Sequence, residues 1–174
     1  MPEELSRQLA RSEIFSGLKK EDLTALATIA APVQFKKGEE IFAEGDTGDA
    51  LYQIVAGSVS ITKKDLSGVK REIAVLKAND ILGEMALLTN LPRSASAISR
   101  GDVRLLRIRK SDFDAWLQAG GPQTLRVLFH LIAILCHRLR DMGERVSQLL
   151  QKEASKAKPE LAALRERLTK EWNF

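Results

Sequence analysis

Short bursts of apolar residues across positions 33–109 constrain what this chain can fold into. In one burst Val59 and Ile61 alternate with polar residues, and Ile73 and Val75 do so in another. Turn-forming residues separate the bursts at regular intervals: Gly38, Gly45-Asp46, Gly48-Asp49, Gly57, Ser67-Gly68, Asn79-Asp80 and Gly101-Asp102. Strands that follow one another at such spacing, with a turn signal after each, predict an antiparallel sandwich or barrel.

Helical patterns flank this β segment on both sides. Residues 2–11 predict a short amphipathic helix, and a second helix is predicted to end at Pro32, because proline cannot continue it. Ser111 opens a sequence similar to a capping box, which predicts another short helix that ends before Gly120-Gly121-Pro122. Inside the β segment, helix-forming residues from Gly83 to Leu88 predict one or two helical turns.

The clearest periodicity follows Pro122, where apolar residues recur at alternating intervals of three and four. This seam consists of Leu125, Leu128, Ile132, Leu135, Leu139, Met142, Val146 and Leu149. Because that spacing is typical of a coiled coil, we predict a homodimer through the Leu125–Leu149 helix. Pro159 is predicted to separate this helix from a short amphipathic tail helix with Leu161, Leu164, Leu168 and Trp172. The predicted division of the chain is therefore residues 1–121, 122–153 and 154–174.

The charge composition argues against a nucleic-acid surface. The 174 residues include 27 Lys and Arg and 23 Asp and Glu, and the two signs are interleaved, as in Lys19-Lys20-Glu21-Asp22. Such mixtures are usually solvated faces rather than a basic stripe. The segment after Leu150 is also too short for a DNA-reading helix-turn-helix. We therefore expect this chain to bind no nucleic acid.

The composition argues against several further classes of protein. No apolar stretch approaches the roughly 20 residues that a membrane span requires, and the N-terminal residues lack the apolar core of a secretory signal. A single cysteine, Cys136, fits a reducing compartment, so we expect a cytoplasmic protein. The two histidines, His130 and His137, are too few for a metal-dependent hydrolase. We therefore expect neither an enzyme nor a metal site.

Glu84 and the pair Arg93-Ser94 form a candidate binding site. The predicted helix start at Gly83 offers unpaired N–H groups to an anion, and an arginine adds a planar fork that can bind two phosphate oxygens. A carboxylate repels phosphate, so Glu84 fits such a site only if it accepts a hydrogen bond, for example from a ribose hydroxyl. An anion and a sugar hydroxyl together indicate a nucleotide. The alternative is that Glu84 and Arg93 form a structural ion pair on a surface loop.

The segment Gly83–Ala95 resembles the phosphate-binding cassette of cyclic nucleotide-binding domains. The similarity extends upstream through Ile14–Leu18, Gly38–Asp46 and Leu51–Val59, and it covers residues 12–150. Such domains occur in the bacterial catabolite activator protein, in the regulatory subunit of protein kinase A and in cyclic-nucleotide-gated channels. The resemblance implies an α+β fold. In it, an antiparallel, jelly-roll-like β-roll is flanked by N-terminal helices, a short cassette helix and a long C-terminal coiled-coil helix.

The resemblance also implies a role for each residue of the site. The cyclic phosphate is expected to bind Arg93, Ser94 and the backbone N–H of Ala86. Glu84 is expected to accept a hydrogen bond from the ribose 2′-hydroxyl, and Gly83 to allow close approach of the ligand. Further contacts are expected from Met85, Ala95, Ile61, Ile73 and Met142, with Ile61 and Ile73 facing the base and Met142 crossing it. The implied ligand is cAMP or cGMP, with cAMP weakly favoured, and no other cofactor is expected.

These expectations describe a non-enzymatic receptor that transmits ligand binding through its C-terminal helix to a partner protein. Two alternatives stay open. The chain could be a truncated or atypical transcriptional regulator similar to the catabolite activator. It could also be a protein-interaction module that kept the fold and lost its ligand.

Overall fold

The computed structural model describes residues 2–89 and 91–171. Its helices are α1 (Pro2–Leu9), α2 (Lys20–Ile29), α3 (Glu84–Leu88), α4 (Lys110–Gln118) and α5 (Pro122–Glu171), with a 3₁₀ turn at Glu13–Phe15. Its strands are β1 (Ala30–Phe35), β2 (Glu40–Phe42), β3 (Ala50–Ala56), β4 (Ser58–Lys64), β5 (Lys70–Lys77), β6 (Ile81–Leu82), β7 (Ser96–Ser99) and β8 (Val103–Arg109). The chain divides into two compact units, Met1–Leu131 and Ile132–Phe174, and the division falls within α5.

Two four-stranded antiparallel sheets form the centre of the first unit, in the orders β1-β8-β3-β6 and β2-β7-β4-β5. Buried apolar side chains of both sheets pack against one another, among them Ile54, Val59, Leu82, Ala97 and Leu105. Because successive side chains of a strand point to opposite faces, short alternating strands place one apolar face of each sheet on this shared core. The structure confirms the predicted α+β fold with an antiparallel, jelly-roll-like β-roll.

Pro32 does not end the second helix, contrary to the prediction. The helix α2 stops at Ile29, and Pro32 lies within β1, where it pairs with Leu106 of β8. The strand β1 is at the edge of its sheet. Proline has no N–H to donate to a strand ladder, so an edge strand tolerates it better than a central one. The sequence therefore predicts the helix correctly and its boundary incorrectly.

Ser111 is likewise inside α4 rather than at its start. This helix begins at Lys110, and the preceding Arg109 makes no side-chain capping bond. The backbone N–H of Lys110 donates instead to the carbonyl oxygen of Asp49 at 2.7 Å, and its ammonium pairs with Asp114 one helical turn further on at 3.1 Å. The carbonyl oxygen of Asp49, in the loop before β3, thus accepts a hydrogen bond from the first N–H of α4. The sequence predicted a capping side chain in this role.

The predicted break at Pro159 is absent, and α5 runs without interruption from Pro122 to Glu171. A proline inside a helix removes one N–H bond, at a cost of about 3 kcal/mol. The residues after it, Glu-Leu-Ala-Ala-Leu-Arg-Glu-Arg, are strong helix formers and favour continuation. The predicted boundary between residues 153 and 154 therefore does not coincide with a helix end. Trp172, assigned to the predicted tail helix, lies outside the described residues.

The exposed apolar residues of α5 differ in part from the predicted seam. In the first unit Leu128 is half-buried, whereas its neighbour Phe129 is 68% exposed. In the second unit Leu135 is half-buried, whereas Cys136 is exposed. Apolar spacing in a sequence does not distinguish residues that become half-buried from those that stay exposed. The fold makes that distinction.

The shared core predicts a large difference between two identical substitutions. Leu105 is 1% exposed, whereas Leu66 is fully exposed in the turn between β4 and β5. We expect Leu105→Ala to lower the free energy of unfolding by about 2–5 kcal/mol, because it removes buried methyl groups and leaves a cavity. Leu66→Ala should change it by less than about 0.5 kcal/mol. Urea denaturation of both variants measures the difference, and equal effects would contradict the proposed position of the core.

Candidate ligand-binding site

The guanidinium group of Arg93 is buried and held by three hydrogen bonds. Its Nη2 atom donates to the carbonyl oxygen of Ala50 at 2.8 Å and to Oδ1 of Asp49 at 3.3 Å. Its Nη1 atom donates to the carbonyl oxygen of Gly83 at 3.3 Å. Only 2% of the Arg93 side chain is exposed, against 74% of the Asp49 side chain. The start of β3 and the residue before α3 therefore fix the position of this cation.

An aromatic ring covers one face of the same guanidinium. The Cζ atom of Arg93 lies 4.2 Å from the centre of the Phe42 ring, and Tyr52 lies beside Phe42 with 6.0 Å between the ring centres. A cation over an aromatic face is attracted by the negative charge of that face, and more strongly where water is excluded. Phe42 thus helps to keep a charged group in a largely apolar environment.

Burial lowers the pKa of the Arg93 guanidinium, while interactions with Tyr52, Asp49 and Glu84 act in the opposite direction. An arginine starts from a pKa far above neutrality, so the group stays a cation at physiological pH. Burial also raises the pKa of Tyr52, and the charge of Asp49 adds to that rise. The tyrosine beside Arg93 is therefore neutral at physiological pH.

One donor of Arg93 has no hydrogen-bond partner among the described residues. Its Nε atom is buried and makes no hydrogen bond, although both terminal nitrogens do. A buried donor without an acceptor costs about 1–3 kcal/mol. An anion that reached the Nε–H would supply the missing acceptor. The Nε atom of Arg107 is also buried without a partner, but Arg93 differs from it in its contact with Gly83, directly before α3.

Glu84 and Gly83 occupy the start of α3, next to Arg93. Glu84 is only 2% exposed, and Gly83 has a φ of 85°, a conformation that glycine adopts readily. A Cβ atom at Gly83 would lie 2.8 Å from the carbonyl oxygen of Ala50 and would collide with Nη1 of Arg93. Glu84 and Arg93 are thus both buried and close to the same glycine, so any pairing between them is not on an exposed loop, as the alternative from the sequence supposed.

A family model described as the cyclic nucleotide-binding domain matches residues 32–119. The chain belongs to this family. It is 30% identical over 142 residues to the CRP-like cAMP-activated global transcriptional regulator of Mycobacterium tuberculosis, which covers 82% of this chain and 62% of that protein. It is 33% identical over 109 residues to the cAMP-dependent protein kinase regulatory subunit of Dictyostelium discoideum, which covers 61% of this chain and 33% of the relative. The chain therefore spans less than two thirds of the length of each of these relatives.

A solved structure supports the same assignment of fold. The catabolite activator protein of Thermus thermophilus superposes with a TM-score of 0.70 at 32% sequence identity, over 79% of this chain and 63% of that one. The resemblance inferred from the segment Gly83–Ala95 is thereby confirmed at the level of the family.

Several predicted site residues of this cyclic nucleotide-binding domain lie around Arg93. Ser94 is exposed, and its hydroxyl donates to the sulfur of Met85 at 3.5 Å. Met85 is 49% exposed, Ala95 is 9% exposed, and Ala86 lies in α3. The structure thus brings the cassette residues together on α3 and on the segment that leads into β7. Their contacts with a ligand stay predictions.

The two predicted base contacts lie on adjacent strands of the second sheet. Ile61 is half-buried on β4 and packs against the core, opposite Ala74 of β5. Ile73 falls at a shift in the β4–β5 register and is 41% exposed. Met142 lies in the second unit and is 58% exposed. Its contact with a base therefore stays a prediction.

Sequence reasoning missed three residues that the structure places beside the cassette. Asp49 and Phe42 contact the guanidinium of Arg93, and Lys63 donates from Nζ to the carbonyl oxygen of Ser94 at 2.9 Å. Asp49 was visible in the sequence only as part of a turn signal. Neither Phe42 nor Lys63 follows a local pattern that links it to the cassette, because their contacts are distant along the chain.

No helix in the described part of the chain is long and apolar enough to cross a membrane. Within residues 2–89 and 91–171, no group of three His, Cys, Asp or Glu side chains is placed to hold a metal ion.

The close approach at Gly83 predicts that this position tolerates alanine worse than Gly68 does. Both glycines have positive φ angles, 85° and 81°, but a Cβ atom at Gly68 would meet nothing within 4 Å. We expect Gly68→Ala to cost about 1–2 kcal/mol from backbone strain alone. Gly83→Ala should cost at least about 1 kcal/mol more, because Arg93 or the backbone of Ala50 must move. Urea denaturation of the ligand-free variants tests this, and equal costs would contradict the close packing around Arg93.

Proposed function

We propose that this chain is a non-enzymatic cyclic nucleotide receptor. The observation that carries the proposal is the buried Nε donor of Arg93, which has no hydrogen-bond partner in the described structure. A phosphate oxygen is a suitable acceptor, because a charge-assisted hydrogen bond in a buried site is stronger than one between neutral groups. The hydroxyl of Ser94 lies next in the chain and is exposed. It supplies a second donor to the same anion.

Glu84 argues for a ligand that carries more than a phosphate. A carboxylate close to a phosphate-binding arginine weakens the binding of a bare anion. The same carboxylate strengthens the binding of a ligand that also presents a hydroxyl donor, such as the ribose 2′-hydroxyl of a cyclic nucleotide. Burial of Glu84 increases this selectivity, because a hydrogen bond to a carboxylate is stronger where the local dielectric constant is low.

We propose cAMP as the preferred ligand, with weak discrimination against cGMP. The names of two relatives, the cAMP-activated regulator and the cAMP-dependent kinase subunit, support cAMP. Ile61 and Ile73, the proposed base contacts, are apolar, and Met142 and Gly143 have no side-chain group that distinguishes the edges of the two purines. Apolar contact alone separates similar bases poorly.

We propose further that the receptor is a cytoplasmic homodimer that signals to a partner protein. In the second unit, large apolar side chains on α5 are more than half exposed, including Ile132, Leu139, Met142 and Leu149. Paired helices would remove these side chains from water. The nearly balanced counts of basic and acidic residues do not favour DNA as the partner.

Titration calorimetry with cAMP and cGMP tests the ligand. We expect one site per chain in the wild type, and Arg93→Lys should weaken binding on the order of a hundredfold, since lysine keeps the charge and loses the planar fork. Ser94→Ala should weaken binding about fivefold through the loss of one hydrogen bond. Ser111→Ala, at an exposed serine of α4, is the matched control and should leave the affinity unchanged.

Ser94→Ala is needed beside the arginine variant because Arg93 also supports the fold through its contacts with Asp49 and Phe42. The thermal melting of each ligand-free variant shows whether a loss of binding reflects unfolding. The absence of heat and of a thermal shift with both cAMP and cGMP would reject the proposed function.

Sedimentation equilibrium tests the homodimer. We expect a mass about twice the 19.3 kDa of one chain. Leu139→Glu should shift the mass to that of one chain, because it buries an unpaired charge at the seam. Leu66→Glu, the same change at a fully exposed residue of the β4–β5 turn, is the control and should stay dimeric. A wild-type monomer at the concentrations used for calorimetry would contradict the proposal.

A further inference from the structure

Lys63 lies on the same face of β4 as the inward-facing residues Val59 and Ile61, at the end of the strand beside the cassette. Alternate residues of a strand share a face. On β4 this row begins with Val59, which is fully buried, and continues with Ile61, which packs against the core. Lys63 is the next residue of the row, and its side chain is 51% exposed. A cation therefore follows the two apolar residues that face the interior of the β-roll.

The strand register brings Lys63 opposite the residues that follow Arg93. In the β4–β7 pair, Ile61 is aligned with Ala97 and Thr62 with Ser96. Lys63 is the residue after Thr62 and Ala95 is the residue before Ser96, so both lie at the end of this antiparallel ladder. The Nζ atom of Lys63 indeed donates to the carbonyl oxygen of Ser94 at 2.9 Å. The position of this ammonium group is thus set by the sheet as well as by its own hydrogen bond.

The ammonium of Lys63 forms an ion pair with Glu44 but makes no hydrogen bond to its carboxylate. The nearest carboxylate oxygen, Oε1 of Glu44, is 3.8 Å from Nζ, which is too long for a hydrogen bond. The other oxygen of Glu44 accepts from the backbone N–H of Lys64 at 3.0 Å. An ammonium group has three donors, and the carbonyl oxygen of Ser94 takes one of them. Donors are therefore left for a group that binds beside Ser94.

We propose that Lys63 is a second cationic contact for the phosphate of the bound cyclic nucleotide, in addition to Arg93. This inference rests on the proposed function. The two cations differ in their exposure to solvent, since Arg93 is buried and Lys63 is half-exposed. Water and salt screen the charge of Lys63 far more strongly. Lys63 therefore adds a modest contribution to affinity that declines as the salt concentration rises.

The matched pair Lys63→Met and Lys64→Met tests this inference. Both substitutions remove one lysine charge from β4, but the side chain of Lys64 belongs to the opposite face of the strand. The dissociation constant for cAMP is measured by calorimetry at about 0.05 M and about 0.5 M salt, between which the screening length falls severalfold. At low salt we expect Lys63→Met to weaken binding about fivefold and Lys64→Met less than about twofold.

The salt dependence distinguishes a charge contact from a structural tether on Ser94. For a charge contact, the deficit of Lys63→Met shrinks to less than about twofold at high salt, and Lys63→Arg restores binding. A deficit of the same size at both salt concentrations would mean that Lys63 only holds the Ser94 carbonyl and would overturn the inference. Lys63→Gln, which keeps a donor without the charge, serves as a second variant should the melting temperature of Lys63→Met differ from that of the wild type.

The outcomes also separate this inference from the proposed function. Wild-type protein that binds cAMP with the same affinity as Lys63→Met at low salt would overturn the role of Lys63 and leave the receptor function intact. Wild-type protein that binds neither cAMP nor cGMP would overturn both.

Discussion

The site and the elements around it depend on the contacts that stabilise the buried guanidinium of Arg93. Removing such a cation from water costs several kcal/mol unless its charge and its donors are satisfied. Here the compensation comes from the carboxylate of Asp49, the carbonyl oxygens of Ala50 and Gly83, and the ring of Phe42. These groups lie at β2, at the start of β3 and before α3, so three separate parts of the β-roll meet at one charge.

The backbone around Arg93 is fixed as firmly as its side chain. Its N–H donates to the carbonyl oxygen of Asp46 at 2.8 Å, and its carbonyl oxygen accepts from the N–H of Gly45 at 2.9 Å. The turn at Gly45-Asp46 therefore holds the end of the cassette against the β-roll. A site with such support is preorganised, so little ordering is required when a ligand binds. The Nε donor of Arg93 is the one group of this side chain for which the described residues supply no acceptor.

The cassette combines this rigid cation with groups that solvent reaches. Ser94 and Met85 are exposed beside Arg93, and Lys63 is half-exposed across the strand pair. A buried cation provides an interaction that salt hardly screens, whereas exposed groups can adjust to the ligand and respond to the medium. Glu84, at the start of α3, belongs with the buried groups of the cassette.

The sequence by itself determined the features that depend on neighbouring residues. Alternation around Val59 and Ile61 indicated strands, and the segment Gly83–Ala95 indicated both a short helix and a nucleotide cassette. Two helix boundaries were wrong: the sequence placed an end at Pro32 and a break at Pro159. Edge pairing accommodates the first proline, and strong helix formers surround the second.

Only the tertiary structure decided which distant residues complete the site. Asp49 pairs with Arg93 across 44 positions of the chain, and Lys63 reaches Ser94 across 31. Such contacts depend on how the two sheets stack and on the register of β4 with β7, which no local spacing encodes. Burial is likewise a property of the packed unit. For this reason the sequence could name Glu84 and Arg93 as partners in a site, while only the fold could show that both are withdrawn from water.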